Sequence, residues 1–230
     1  MKIGFTGVDL PEGKFKFKDE NLIALEKKDR PKKVSPFFAE FLPDEYVKSD
    51  AIAISGEKIL DLLILDLEKI ETRLSRAQEN WEKSLLTKCM ANLEREVPLC
   101  DVEFSGEERE ALKAASPLSL KPVIRIENDG VDANVLISTA LEKAGCMFFY
   151  TSGPSESHAW IVKKGSDIVE CAAKIHTDLA RGFIKGDVAS FDDYMKCHSF
   201  NDCKAKGLVR VVDRDYIIQP AEIIEIRFNV

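Results

Sequence analysis

The sequence predicts an α/β fold interrupted by a helical segment and followed by a smaller α+β unit. Three observations predict it. Short apolar runs ending in glycine or polar turns recur over residues 1–57 and again over 105–145. Between them, Leu60, Leu63, Leu67, Ile70, Leu74 and Ala77 fall at spacings of three and four, a heptad-like stripe with Glu and Lys on the opposite face. Over 146–230 the pattern is two strands, a helix and further strands, the order of a β-grasp domain. The expected division is a shortened α/β domain over 1–57 and 105–145, a helical arm over 58–104, and a β-grasp domain over 146–230.

The elements follow in order. Residues 2–7 read as a strand ending in glycine, 21–25 as a short helix, and 34–41 and 51–54 as strands. From Ala77 the spacing becomes four throughout, through Trp81, Leu85, Cys89 and Leu93. This phase shift fits either a stutter in one long helix or a turn near Asn80, and no Gly or Pro between Gly56 and Pro98 decides between them. Ser105 with Glu108 forms a capping box for a helix through Ala115. Residues 121–126 read as a strand, and 134–144 as a helix closed by Gly145. Residues 147–151 and 158–162 read as a hairpin across Gly153 and Pro154, 167–179 as one helix, and 187–190 as a strand. Helical turns follow at 191–197 and 201–206, then strands at 216–219 and 222–230.

With 45% hydrophobic and 32% charged residues the chain has a globular balance, which excludes collagen-like and wholly disordered classes. A net charge of −7 excludes a generally basic nucleic-acid binder, though not a local basic face. Six singly spaced cysteines, with no C-x-x-C, read as reduced thiols. The first residues carry no secretory signal, and the most apolar stretch, 59–67, is far short of a membrane span and broken by Asp61 and Asp66. The expectation is a cytoplasmic protein with no membrane partner.

The last unit resembles a TGS domain, and most closely the version found in the YchF/Obg-like ATPase family. Ala159-Trp160, Lys163-Lys164-Gly165, Ile175-His176-Thr177-Asp178, Arg181-Gly182-Phe183-Ile184, Asp215-Tyr216-Ile217 and Arg227-Phe228-Asn229-Val230 carry the resemblance. The stretch 66–74 is similar to that family's coiled-coil insertion, and Lys121-Pro122-Val123-Ile124 to the strand leading to its base-recognition motif. One departure is Pro220-Ala221-Glu222, where the family has an acidic-Gly-acidic turn.

The family's nucleotide motifs are damaged. A P-loop, G-x-x-x-x-G-K-[ST], cradles phosphates with backbone amides, neutralises them with Lys and ligates Mg²⁺ with its hydroxyl. The only Gly-Lys pair is Gly13-Lys14; the first motif glycine falls on Val8, with Gly7 one place too far, and Phe15 stands at the hydroxyl position. No D-x-x-G occurs, the stretch between Phe41 and Ala51 is too short for a switch II and its helix, and Asn128-Asp129-Gly130 is followed by Val131 where the family's base motif has Glu. Gly7, Gly13 and Lys14 therefore read as a degenerate phosphate loop in a P-loop-like domain. No catalytic residue and no cofactor are expected, the alternative being ATP or GTP with Mg²⁺.

Two further clusters are weighed. Cys197, His198 and Cys203 lack a fourth ligand, so no metal is expected. His176 beside Asp178 has no paired nucleophile for a triad; the resemblance implies instead a tRNA-facing histidine. With Lys163, Lys164, Arg181, Lys185 and Trp160 it forms the candidate RNA- or partner-binding set, since cations interleaved with rings suit phosphate contact and stacking. Eleven Lys and Arg against twelve Asp and Glu over 146–230 make such binding local and salt-sensitive. The expected partners are tRNA, rRNA or the ribosome, with a protein partner through the helical arm as an alternative, and nucleotide switching as another.

Overall fold

The computed structural model describes residues 1–127 and 130–229, so Asn128 and Asp129 of the expected base motif, and Val230, lie outside the described residues. The chain divides into two compact units: residues 1–15 with 39–144, and residues 16–38 with 145–230. This corrects the expected first domain, because 16–38 folds with the C-terminal unit. A short segment carries no composition signal that tells which of two cores it joins.

The first unit is a five-stranded sheet in the order β2-β4-β1-β5-β6, with β1 at Lys2–Thr6, β2 at Gly13–Lys16, β4 at Phe38–Pro43, β5 at Ala51–Ser55 and β6 at Val123–Ile126, numbered along the chain. β1 pairs in parallel with β4 and β5, and β5 with β6. In β5, Ala51, Ile52, Ala53 and Ile54 are all fully buried. An unbroken apolar run is what a parallel strand covered on both faces requires.

The helical region is a hairpin, with α2 at Ile59–Leu74 and α3 at Asn80–Leu93, so the phase shift marks a turn. Its buried face, Ile59, Leu62, Leu63 and Ile70 with Leu85, Leu86, Cys89 and Leu93, shares one core with Ile52, Ile54 and Val123 of the sheet. The expected separate arm is thus part of this unit. Of the predicted stripe, Leu63 and Ile70 are buried and Leu67, Leu74 and Ala77 pack against the core, but Leu60 is 47% exposed and Ile59, Leu62 and Asp66 are buried beside them. Two more helices complete the unit: α4 (Gly106–Lys113), which carries the predicted capping box, and α5 (Ala133–Lys143), capped by Asp132.

Asp66 departs from the expected pattern. It sits fully buried on the packed face of α2 and accepts 2.6 Å bonds from the backbone amides of Leu118 and Ser119, which open a short 3₁₀ turn. Lys69 Nζ is 3.9 Å away.

The second unit is a six-stranded mixed sheet ordered β10-β9-β11-β7-β8-β3. Here β3 is Lys33–Ser35, β7 Cys146–Ser152, β8 Glu156–Lys163, β9 Phe183–Ala189, β10 Arg210–Val212 and β11 Ile223–Phe228. β7 and β8 form the predicted antiparallel hairpin, and β11 runs parallel to β7 and antiparallel to β9. The expected strand over 34–41 is two strands, β3 and β4, in different sheets. Residues 216–219 contribute only an isolated bridge from Ile217 to Asp167, and β10 was not foreseen.

One face of this sheet packs on α6 (Ile168–Ile175) through Ile168, Cys171 and Ala172 against Met147, Phe149, Val188 and Ile224. The other packs on α1 (Glu20–Asp29), α8 (Phe191–Met195) and α9 (Phe200–Ala205). The expected helix over 167–179 breaks at His176, whose extended backbone (φ −163, ψ 140) separates α6 from α7 (Thr177–Arg181). Its Nδ1 accepts the Asp178 amide at 3.1 Å, a local bond that competes with helix continuation. Cys89, Cys100, Cys171, Cys197 and Cys203 are free thiols. Burial pushes Cys89 and Cys100 up to about 11 and Cys171 and Cys203 up to about 12, so these thiols are poor nucleophiles.

Asp187, 1% exposed on β9, is held by Arg227 Nε and Nη2 at 3.0 and 2.7 Å and by Lys204 at 3.0 Å. Burial pushes its carboxyl upward, and the bonds from Arg227 and Lys204 outweigh it, leaving the group below its ordinary value of 3.8.

Two outcomes are expected. Replacing Asp66 by Ala leaves two buried amides without acceptors and costs about 3 kcal/mol, read as a lower urea midpoint with an unchanged slope; a loss under about 1 kcal/mol would show that water replaces the carboxylate. For Asp187, the depressed folded pKa means its stabilisation is present above the unfolded value and is lost as pH falls through the folded one. Asp187→Asn is therefore less stable than the parent at neutral pH, and the gap narrows below about pH 4 in acid titrations of the unfolding free energy.

Candidate functional site

In open α/β sheets ligands bind outside the carboxyl ends of the strands, so the ends of β1, β5 and β6 form the first place to examine. β1 stops at Thr6, and the chain runs without a helix to Gly13, where β2 begins. A phosphate cradle depends on amides gathered at a helix N-terminus. Here Gly7 and the Gly13-Lys14 pair stand at opposite ends of that loop, and Lys14 projects from an exposed position of β2. Gly7 takes φ +67, and a Cβ there would press on Ser55 Oγ and Lys58. Phe15, at the place a metal-ligating hydroxyl would take, packs edge-on against Phe41 at 6.0 Å.

The link from β4 to β5 crosses β1. A crossover between parallel strands ordinarily takes a dozen or more residues; here residues 44–50 suffice, because they lie directly on β1. Glycine at position 4 allows this, since any Cβ would overlap the Glu45 carbonyl oxygen. The segment is tied at both ends: the Asp44 amide donates to the Phe5 carbonyl at 2.9 Å and the Asp50 amide to Lys2 at 2.8 Å. Lys121 Nζ donates to the carbonyls of Tyr46, Val47 and Ser49 at 2.7, 2.7 and 2.8 Å, and partial burial lowers its pKa. At the tip of β1, Thr6 Oγ1 donates to Asp44 Oδ1 at 2.8 Å. A carboxylate thus faces the end of β1, where a nucleotide site would present donors to phosphate.

Beyond β6, Arg125 pairs with Glu127 at 2.5 Å and with Glu96 at 3.5 Å. A cavity of about 250 Å³ opens here, lined by Arg125, Glu127, Val131, Val135 and Thr139 among others.

In the second unit the six predicted contact residues form two groups. Lys163 ends β8 opposite Cys146, the first residue of β7, and Lys164 follows it. His176, Arg181 and Lys185 lie on α7 and the start of β9, where Phe183 pairs with Phe228 at the end of β11. Since β7 and β11 run parallel and meet at Tyr150 and Ile223, nine strand residues separate these ends (146 to 150 plus 223 to 228), about 30 Å of rise. Arg181 pairs with Asp178 at 3.0 Å, and Lys185 pairs with Asp213. Trp160 belongs to neither end: its Nε1 donates to Thr151 Oγ1 at 3.0 Å and its ring stacks on His158 at 3.6 Å. Burial holds the His158 imidazole below its usual range, against the pull of Glu156.

Residues that the sequence did not single out gather on the α1 side of this unit. Tyr150 donates to the buried Asp19 at 2.8 Å, and burial raises the pKa of both. Asp29 accepts from Tyr194 and Ser152, each at 2.6 Å, and from Lys28 at 2.8 Å. They border a cleft of about 290 Å³ with His198, Ser199 and Asn201. These pairs join positions more than a hundred residues apart, and neither spacing nor composition announces them. Among the described residues no group of three or more His, Cys, Asp or Glu is arranged to hold a metal ion. No helix of the described residues is long and apolar enough to cross a membrane.

Residues 146–229 match the family model YchF-GTPase_C, described as "Protein of unknown function (DUF933)". The chain is 25% identical over 237 residues to the ribosome-binding ATPase YchF of Bacillus subtilis, a match covering 74% of this chain and 65% of that protein. It is 42% identical over 82 residues to Obg-like ATPase 1 of Rattus norvegicus, covering 36% of this chain and 21% of that one. In fold it is similar to the Schizosaccharomyces pombe YchF GTPase, with a TM-score of 0.82, 16% identity, and 99% and 97% of the two chains covered. The chain thus spans a little under two thirds of the length of the Bacillus relative and about a fifth of the rat one. In sequence the chain is similar to YchF/Obg-like ATPases, with its family-model match in the last third, and in fold it is similar to a YchF GTPase over its whole length.

Proposed function

We propose that this chain is a cytoplasmic, non-catalytic relative of the YchF/Obg-like ATPases that docks on the ribosome or its RNA through the C-terminal unit. One observation supports the reading: the crossover over residues 44–50 lies on β1 and sets the Asp44 carboxylate against Thr6 at the strand's carboxyl end, where a phosphate would meet repulsion. The similarity to named ribosome-binding relatives persists most strongly in the other unit. Its hairpin, packed helix and parallel β7 and β11 support the reading of a TGS-type β-grasp. The face presented is the end of the sheet with His176, Arg181 and Lys185, of which His176 and Arg181 are well exposed.

A second reading, a nucleotide-binding switch or weak NTPase taking ATP or GTP with Mg²⁺, is favoured by the cavity at the end of β6. A bound nucleotide stabilises by RT ln(1 + [L]/Kd), so a rise in melting temperature with either nucleotide would support it. The first reading expects no rise and no phosphate release.

Co-sedimentation with purified ribosomes at low salt tests the docking. The chain pellets with ribosomes and is released as salt rises, because phosphate contacts displace counterions. Arg181→Glu weakens pelleting and reduces the salt slope by about one, as the loss of one phosphate contact requires. Absence of pelleting at low salt overturns the reading.

A further inference from the structure

Beyond the docking face just described, the first unit carries a second surface on different residues. The turn after α4 and the outer face of α2 enclose a groove of about 550 Å³. Lys69, Arg73 and Arg76 line one wall at spacings of four and three, with Thr72 between them, and Ala114 and Ala115 line the other. Glu68 is the only carboxylate among the lining residues. The cations are set in place: Lys69 Nζ donates to the Ser116 carbonyl at 3.0 Å, and Arg73 donates its Nε to Glu82 at 2.7 Å, which fixes the plane of the guanidinium. Arg76 is exposed in the turn that follows α2.

We propose that this groove docks an acidic helical segment of a partner protein. Lys69 and Arg73 stand four apart on α2 and Arg76 extends the row from the turn beyond it, so carboxylates on one face of an incoming helix meet the three cations in succession. The two alanines let a helix backbone approach closely. A nucleic acid fits less well. No lining residue is aromatic, so bases find no stacking platform. Around the groove, residues 59–115 carry thirteen Asp and Glu against eight Lys and Arg, so a long polyanion runs from the groove onto a negative surface. A short segment with a few carboxylates ends before it meets that repulsion.

Fluorescence anisotropy on the full chain tests this with a labelled alanine-rich helical peptide bearing glutamates at spacings of four and three. Saturable binding that weakens with salt is expected, with about a tenfold loss in Arg76→Glu and little change in Arg76→Lys. A peptide with lysine at the same positions binds Arg76→Glu better than it binds the parent. Arg73→Gln gives a second, independent loss. No saturable binding of the acidic peptide, or equal binding by parent and Arg76→Glu, overturns the proposal. So does tighter binding of an oligouridylate of equal charge with the same dependence on Arg76. Ribosome pelleting is unaffected by Arg76→Glu, which keeps this result separable from the docking face of the second unit.

Discussion

The first unit depends on the contact between residues 44–50 and β1. Two parallel strands that flank a third must be joined over one face of it, and the join is ordinarily a helix. Here it is a bare peptide lying against Gly4, and its carbonyls need donors that no helix supplies. Lys121 meets three of them with one ammonium, while the amides of Asp44 and Asp50 bond to β1. The sheet order survives with its neighbours in register, but the space where a longer connection would move is taken. At the carboxyl end of β1 the same segment sets Asp44 against Thr6.

Much of the fold was legible because it rests on local signals. Alternation and turn residues found the hairpin of β7 and β8; the Ser105 and Glu108 pair marked the start of α4; the change in apolar spacing marked a break near Asn80 without telling a stutter from the turn that is there. What failed was long-range. Residues 16–38 carry no mark of which sheet they join, and the break at His176 is caused by a side chain bonding back to the Asp178 amide within an otherwise helical pattern. Asp66 interrupts a leucine-rich face as a charge, which reads as exposure, yet its partners at 118 and 119 bury it.

The candidate sites were legible in part. The sequence marked Gly7, Gly13 and Lys14 by motif spacing, but neither the helix-free run between them nor Asp44 beside Thr6 has a local signal. The basic set of the second unit was chosen by residue type, and strand register divides it. Lys163 and Lys164 stand at one end of the sheet, His176, Arg181 and Lys185 at the other, and Trp160 is held by Thr151 and His158. Register is fixed by pairing between distant strands, so residue type alone could not order these side chains along the sheet.

The path of the chain between its units has a consequence for how it is made. Residues 16–38 leave the ribosome early, yet Leu22 and Leu25 of α1 are covered by Tyr150, Ala159, Tyr194 and Ile223, which emerge last. During synthesis this amphipathic helix waits, uncovered, while the whole of the intervening unit is translated and can fold. The nascent protein therefore passes through a stage with one finished domain and one apolar orphan helix, a species that invites chaperone capture until the final strands arrive.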